Sequence, residues 1–219
     1  MKFRNRFDDS RRRSRASRRI QIVVYAKAPR LGQVKTRLAR DLGDVRTLVL
    51  YRGLLGRLVR KLRRDPRLAL TVFVGPPHLE RGVRRLLPPV SMSKQRYRDL
   101  GEGMIAAARE VGSRRNTAFV IGTDIPDIEP HHLVRAHAML RSHDVVFGPS
   151  GDGGYWLIGL TASAMRTLDL SVVRWSGPHT LSDSTAGARA MRIAYADTLD
   201  DIDEIEDYRR WRARTKHAK

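Results

Sequence analysis

The chain has 219 residues, 41% of them hydrophobic, no cysteine and a formal net charge of +20. This length suits one domain with one core, and the lack of cysteine excludes disulfides, thiolate metal sites and a cysteine nucleophile. No window approaches the roughly 20 apolar residues of a membrane span and no apolar leader is evident, which predicts a soluble cytoplasmic protein without a membrane span.

The positive charge alone would suit a nucleic-acid-binding protein. Residues 1–19, however, hold nine cations and two aspartates with almost no apolar side chains, which predicts a disordered Arg-rich tail. Such a tail is either a solvated leader or a contact for nucleic acid or anionic lipid. The other cations are scattered on helical faces without the exposed aromatics of a base-stacking surface, so nucleic acid is the weakest candidate partner.

Along the rest of the chain, short runs rich in β-branched residues alternate with segments of helical spacing. The pattern predicts a single three-layer α/β/α domain over residues 20–215 with a mostly parallel, Rossmann-like sheet. In such sheets ligands bind beyond the carboxyl ends of the strands. The predicted strands are 20–26, 68–75, 117–124, 144–149, 154–160 and 191–196, and the predicted helices are 45–64, 78–87, 99–112, 130–142, 161–168 and a last one from about residue 203.

A basic, glycine-containing loop follows the first strand in the stretch YAKAPRLGQVKTRLARDLG, residues 25–43. Gly32 is surrounded by Lys27, Arg30, Lys35 and Arg37, and a glycine before a helix start lets backbone N–H groups approach an anion. The spacing is neither that of a P-loop nor that of a dinucleotide fingerprint. An ordinary basic turn is the alternative to a phosphate-binding loop. Because Lys35 and Arg37 are two positions apart, they cannot share one helical face, so one is expected to point at a phosphate and the other at the neighbouring phosphate or a base edge.

The stretch FVIGTDIPDI, residues 119–128, places Thr123 and Asp124 at the carboxyl end of a strand. A carboxylate there is well placed to bind a divalent cation that bridges phosphates. The alternative is that Asp124 or Asp127 caps the helix that follows.

The stretch GPSGDGGYW, residues 148–156, has four glycines around Asp152. So much glycine before a strand indicates that the backbone passes close to a ligand, or that it forms a tight hairpin or bulge.

A second acidic segment, DTLDDIDEIEDYRR, covers residues 197–210 and crowds the start of the last helix. Acidic residues are favourable at a helix N-terminus in any case. Since one aspartate cannot hold Mg²⁺ alone, this segment is also the candidate source of a second metal ligand.

Four ordered motifs, YAKAPRLGQVKTRL, GTDIPD, GPSGDGGYWLIGL and DIDEIED, resemble the arsenosugar-biosynthesis glycosyltransferase family of GT-A-like transferases. They are similar, more distantly, to 2-phospho-lactate guanylyltransferase and the molybdenum cofactor guanylyltransferase. The resemblance covers about residues 20–210. Leu31 stands where family members commonly carry Pro, and Glu204-Ile205 where the related nucleotidyltransferases carry Thr-Pro.

The resemblance implies a nucleotide-diphospho-sugar transferase fold and the following roles. Asp124, Lys35 and Asp152 would be the catalytic residues, and Asp124 and Asp203 the metal ligands. The donor and acceptor would be bound by Lys27, Gly32, Lys35, Arg37, Thr123, Gly153, Gly154 and Tyr155, with the segment from Asp152 to Tyr155 on the acceptor side.

The implied function is a Mg²⁺- or Mn²⁺-dependent transferase with a nucleotide-activated donor, foremost glycosyl transfer from a nucleotide-sugar to a small-molecule acceptor. The alternative is nucleotidyl transfer from an NTP to a small phosphorylated acceptor. A nucleic-acid-binding protein is the remote alternative, because it would make no use of the four motifs.

Overall fold

The computed structural model describes residues 19–97, 99–112 and 117–217. Within these ranges seven strands form one sheet: β1 (Ile20–Lys27), β2 (Leu68–Gly75), β3 (Ser91–Lys94), β4 (Ala118–Ile121), β5 (Val145–Pro149), β6 (Tyr155–Leu160) and β7 (Ile193–Tyr195). Their order across the sheet is β3-β2-β1-β4-β6-β5-β7. β6 runs antiparallel to β4 and β5, and the other neighbours pair in parallel. The prediction of a mostly parallel sheet is confirmed.

The helices of the described ranges lie between these strands along the chain, except the last, which follows β7. They are α1 (Thr36–Leu42), α2 (Asp44–Arg63), α3 (Glu80–Arg84), α4 (Leu100–Val111), α5 (Pro130–Met139), α6 (Ala164–Thr167), α7 (Thr180–Gly187) and α8 (Ile205–His217). Local signals set several boundaries. Asp99 caps α4 by accepting a hydrogen bond from the Glu102 N–H at 2.8 Å, and Pro130 opens α5 behind a capping box of Glu129 and His132.

The core lies on both faces of the sheet. β1 is an interior strand of the sheet, and its alternate residues belong to two clusters. Ile22 and Val24 lie on one face of the sheet and Val23 on the other, and all three are fully buried. Side chains of α2, α3 and α5 cover the first face, and those of α4 and α6 cover the second. A third cluster joins Leu38, Leu54, Ile202 and Trp211, and so packs α1 and α8 against α2. The three-layer α/β/α architecture is confirmed.

Three elements were not predicted from the sequence. β3 is an edge strand with the sequence SMSK, α7 has the sequence TLSDSTAG, and α1 precedes the long helix as a separate short one. The helix predicted over 78–87 is shorter, with one 3₁₀ turn and α3, and the helix predicted over 161–168 is reduced to α6.

The predicted tail lies, up to residue 18, outside the described residues. The single domain over 20–215 and the cytoplasmic location stay predictions. No helix within the described ranges is both long enough and apolar enough to cross a membrane.

Candidate functional site

Three segments meet at the carboxyl edge of the sheet. The loops after β1 and β4 leave neighbouring parallel strands, and residues 197–204 return to the same edge after β7. The Ile202 N–H donates to the Asp124 carbonyl at 3.1 Å, and the Leu199 N–H donates to the Pro149 carbonyl at 3.1 Å. These backbone bonds place the second acidic segment directly beside Asp124.

Lys35 lies at the centre of this arrangement. Its Nζ forms an ion pair with Oδ2 of Asp124 and lies 3.2 Å from Oδ1 of Asp203 and 3.8 Å from Oδ2 of Asp201. Only 9% of the Lys35 side chain is exposed. Lysine is rarely buried to this degree unless it is paired, and here three carboxylates surround one ammonium group.

The backbone explains how Lys35 reaches inwards. Lys35 is the N-cap residue of α1 and has left-handed dihedral angles, φ 48° and ψ 49°. A non-glycine residue is uncommon in this region, and such residues cluster at functional sites. The flanking Val34 and Leu38 are buried and anchor the loop on either side.

Arg37 approaches the same cluster from the surface. Its NH1 lies 3.0 Å from Oδ2 of Asp203, while about half of its side chain is exposed. Lys35 precedes the helix in a left-handed conformation, so its side chain does not follow helical geometry relative to Arg37. Both cations converge on Asp203.

The charges at this cluster shift the pKa values of its members. Burial lowers the pKa of Lys35, but the attraction of Asp124, Asp203 and Asp201 outweighs it and leaves that pKa above its usual value. Burial raises the pKa of Asp124, and the Lys35 ammonium outweighs this and holds it below the usual range. Asp124 and Lys35 are therefore both charged at neutral pH.

Asp201 differs from its neighbours, because burial raises its pKa to about 6. Lys35 acts against this shift, and the negative charges of Asp124, Asp152 and Asp203 add to it. The cluster thus holds more negative charge than its central ammonium balances.

Two hydrogen-bonded hydroxyl groups, those of Thr123 and Tyr51, lie buried next to the cluster. The Thr123 hydroxyl donates to the Tyr51 hydroxyl at 3.3 Å, and Tyr51 donates to the Lys27 carbonyl at 2.9 Å. Burial, aided by the charge of Asp124, raises the pKa of Tyr51 to about 12. Thr123, which precedes Asp124 in the chain, is buried. The Lys27 side chain at the end of β1 is exposed. Sequence reasoning missed Tyr51, since an aromatic residue at helical spacing in α2 gives no functional signal.

Gly32 has φ 69°, as a tight turn of a glycine loop requires. A Cβ at this position would lie 3.6 Å from Oδ2 of Asp44, at the start of α2. Gly32 therefore shapes the loop that carries Lys35 and is itself exposed.

The glycine-rich turn between β5 and β6 borders the site. Asp152 is exposed, and its Oδ1 accepts hydrogen bonds from the Ser150 hydroxyl at 2.5 Å and the Gly154 N–H at 2.9 Å. Gly153 has φ 84° and passes close to the backbone of Pro178. A Cβ at Gly151 would lie 3.1 Å from Oδ1 of Asp200, so this turn lies directly beside the second acidic segment.

The Tyr155 side chain packs against the second core cluster. Its ring packs edge to face on Phe147 at 5.1 Å and on Trp175 at 6.5 Å, and its hydroxyl accepts a hydrogen bond from Ser184 at 3.3 Å. Burial raises the pKa of Tyr155. These contacts give Tyr155 a packing role beside the second face of the sheet.

The donor set of the cluster fits a hard divalent cation. Among the described residues, no three acidic or histidine side chains form a group that could hold a metal ion by themselves. Asp124 and Asp203 nevertheless bring carboxylate oxygens to one ammonium group. Magnesium is commonly bound by one or two carboxylates, with the remaining ligands supplied by water and substrate phosphates. Asp124 and Asp203 meet this requirement.

Comparison with known proteins places the chain in a family. The profile of a family described as "Uncharacterized protein conserved in bacteria (DUF2064)" matches residues 58–177, more than half of the chain. The chain belongs to this family. The matched region contains Asp124 and the glycine-rich turn, whereas Lys35 and Asp203 lie on either side of it. The sequence matches no curated protein.

Solved structures share the fold. A protein from Desulfovibrio desulfuricans G20, to which nucleotide-diphospho-sugar transferase activity is ascribed, is 26% identical with a TM-score of 0.77, over 86% of this chain and 84% of that one. A nucleotidyl transferase from Methanothermobacter thermautotroptrophicus is 20% identical with a TM-score of 0.61, over 92% and 99% of the two chains. A manganese complex of a protein from Mycobacterium tuberculosis H37Rv is 18% identical with a TM-score of 0.52, over 88% and 97%.

These similarities confirm the predicted nucleotide-diphospho-sugar transferase fold, and the expectation of a transferase enzyme agrees with them. The narrower resemblance to the arsenosugar-biosynthesis family is not confirmed by the comparisons and stays a prediction.

Proposed function

We propose that this chain is a metal-dependent transferase that uses a nucleotide-activated donor, foremost a nucleotide-sugar whose glycosyl group passes to a small acceptor. The observation that carries the proposal is the convergence of Lys35, Asp124 and Asp203 at the carboxyl edge of the sheet. Cations and carboxylates at this edge suit a metal-bound diphosphate. The similarity to the Desulfovibrio protein supports the donor class.

Each residue has a proposed role. Asp124 and Asp203 would hold Mg²⁺ or Mn²⁺, which when bound neutralises charge on the diphosphate and on the departing nucleotide. Lys35 and Arg37 would bind the phosphates, and the backbone at Gly32 would approach them closely. Asp152 and the turn at Gly153 and Gly154 would border the acceptor. Rate enhancement would then come from positioning and electrostatic stabilisation of the leaving group.

Nucleotidyl transfer is the second candidate. The fold similarity to the Methanothermobacter nucleotidyl transferase spans nearly the whole of that protein, which favours this alternative. The same cations would then hold a triphosphate, and a phosphorylated acceptor would attack the α-phosphorus.

The two reactions can be separated with the purified chain. Thermal stability is measured with UDP-, GDP-, CDP- and dTDP-sugars and with the four NTPs, each with and without Mn²⁺. A ligand that binds only the folded state, at a free concentration 100 times its Kd, adds about 2.7 kcal/mol to the free energy of unfolding. We expect one nucleotide class to stabilise the chain only with the metal, and its identity distinguishes glycosyl from nucleotidyl donors.

Two matched variants test the site. Asp124→Asn removes the carboxylate that pairs with Lys35 and is expected to abolish the metal-dependent stabilisation. Asp127→Asn changes an exposed aspartate of the same loop that pairs with Arg214 and is expected to retain it. Equal stabilisation of both folded variants would contradict a metal-binding role for Asp124.

A further inference from the structure

The Lys35 ammonium already lies on the carboxylates that are proposed to bind the divalent metal ion. Its ammonium lies within 4 Å of Asp124, Asp201 and Asp203, and the first and third of these are the proposed metal ligands. The Lys35 side chain is 9% exposed, so the contact with Asp124 is shielded from water. The described cluster therefore already holds one buried positive charge on its central oxygens.

A divalent cation and this ammonium would compete for the same oxygens. The ammonium contacts Oδ2 of Asp124 and Oδ1 of Asp203. Two positive groups that share these atoms within about 4 Å would repel each other strongly, because little water lies between them to screen their charges. Lysine has a flexible four-carbon stem, so the ammonium can move while the backbone stays in place.

We propose that Lys35 holds the acidic cluster together in the ligand-free protein and that a divalent cation takes its place there, which releases the Lys35 ammonium towards the phosphates of the nucleotide. The inference rests on the proposed function for the destination of the ammonium and on the described contacts for its starting position. Arg37, which is half-exposed and pairs only with Asp203 within this cluster, stays at the rim.

Exchange of Lys35 for the metal ion couples metal binding to nucleotide binding. The metal displaces Lys35 at a cost, and the phosphates compensate by accepting the released charge. Since coupling between binding sites is reciprocal, each ligand then raises the affinity for the other. Without nucleotide, the wild-type chain is expected to bind the metal weakly.

The first measurement uses Mn²⁺ alone, without nucleotide, followed by the loss of the free-ion signal in electron paramagnetic resonance. Wild type is compared with Lys35→Met, which keeps an unbranched side chain only one atom shorter and removes its charge. Arg40→Met, which removes an exposed cation from the same helix, is the control. We expect Lys35→Met to bind Mn²⁺ at least about tenfold more tightly than wild type and Arg40→Met to bind it within about twofold of wild type.

The second measurement uses the wild-type chain, because Lys35→Met leaves three carboxylates without their shared cation and can lose its fold. Trace acetylation followed by mass spectrometry gives the reactivity of Lys35 relative to the exposed Lys27. We expect this ratio to rise at least about threefold when Mn²⁺ is added. An unchanged ratio, or a folded Lys35→Met that binds Mn²⁺ no more tightly than wild type, would overturn the exchange.

Failure of the proposed function gives a different pattern. If Lys35→Met binds Mn²⁺ more tightly and Lys35 becomes reactive, yet no nucleotide stabilises any variant, the exchange stands and the transferase proposal fails. If a nucleotide binds with the metal while Lys35→Met gains no affinity for Mn²⁺, the transferase proposal stands and the exchange fails.

Discussion

At the scale of single residues, Gly153 shows how the turn beside the site depends on glycine. With φ 84°, a Cβ at this position would lie 2.4 Å from the Pro178 carbonyl oxygen. Backbone atoms cannot move aside as a flexible side chain can, so both the dihedral angle and the contact oppose any larger residue. The close approach also lets the Leu181 N–H donate to the Gly153 carbonyl at 3.0 Å, which ties α7 to the turn.

We therefore expect Gly153→Ala to lower the free energy of unfolding by about 2 kcal/mol, mainly through strain at a positive φ. Urea denaturation followed by circular dichroism measures it. Gly177→Ala is the control, since a Cβ at residue 177 meets no atom within 4 Å. A Gly153→Ala variant as stable as the control would show that the turn relaxes without cost.

Part of the site could be predicted from residue types alone. Asp124 was predicted because a carboxylate follows an apolar strand. The need for a second metal ligand indicated the acidic segment 197–210, and the family resemblance singled out Asp203 within it; the structure brings both aspartates to Lys35. Asp201 and Tyr51 were not singled out. Their roles depend on which side chains the fold brings together over long separations, and no local spacing reports that.

At the scale of secondary-structure elements, Lys61 links α2 to the loop that carries Asp124. Its Nζ donates to the carbonyls of Pro126 at 3.3 Å and Ile128 at 3.0 Å, and to Oε1 of Glu129 at 2.5 Å. Hydrogen bonds from a charged donor are stronger than those between neutral groups. Lys61 thus ties the loop between β4 and α5 to the helix packed beside it.

Lys61→Met is expected to lower the free energy of unfolding by about 1 to 2 kcal/mol, because three acceptors lose a charged donor. Arg63→Met, at an exposed position of the same helix, should change it by less than about 0.5 kcal/mol. Chemical denaturation of the three proteins in parallel makes the comparison. Equal denaturation midpoints for both variants would show that water replaces the hydrogen bonds of Lys61 without loss of stability.

His137 connects the stability of α5 to pH. The half-buried ring packs edge to face on Phe119 at 6.2 Å, and burial, assisted by Arg141, lowers the pKa of His137 below its ordinary value of 6.5. The unfolded chain therefore binds a proton at a higher pH than the folded one. The neutral His137 ring therefore contributes fully to the free energy of unfolding above about pH 6.5, and this contribution is lost as the pH falls below that value.

Between pH 7 and pH 5 we expect His137→Leu to lose less of its free energy of unfolding than wild type, because the variant lacks this histidine's contribution. His78→Leu, which changes an exposed histidine, should keep the wild-type slope. Denaturation midpoints at half-unit steps of pH supply the data. An identical pH dependence in wild type and His137→Leu would rule out this histidine as a source of the effect.

Elements with a strong pattern were predicted well. The run LALTVFVG coincides with β2, an interior strand that lies between β1 and the edge strand β3. The missed β3 has no apolar run, because an edge strand is covered less on its faces. α7 is rich in Ser and Thr, which have low intrinsic helix preference, and its backbone bond to Gly153 helps to hold it in place.

At the scale of the whole molecule, the charge is unevenly distributed. Residues 1–18 carry eight of the 43 lysines and arginines. Deleting them is expected to leave the melting temperature within about 1 °C of wild type, since the segment has little apolar surface to bury. Heparin retention should decrease, because polyanion binding depends on the number of cations. Calorimetry and a salt gradient on heparin test both expectations, and a melting temperature several degrees lower would show that this segment contributes to the fold.

The contact between Lys35 and Asp203 joins residues 168 positions apart. During translation, Lys35 leaves the ribosome with the first strand, and all seven strands of the described sheet have been synthesised by residue 195. Asp203 follows only after that. The acidic cluster can therefore close only after nearly the whole described chain has been synthesised, whereas β1, β2 and β3, which end by Lys94, can pair much earlier.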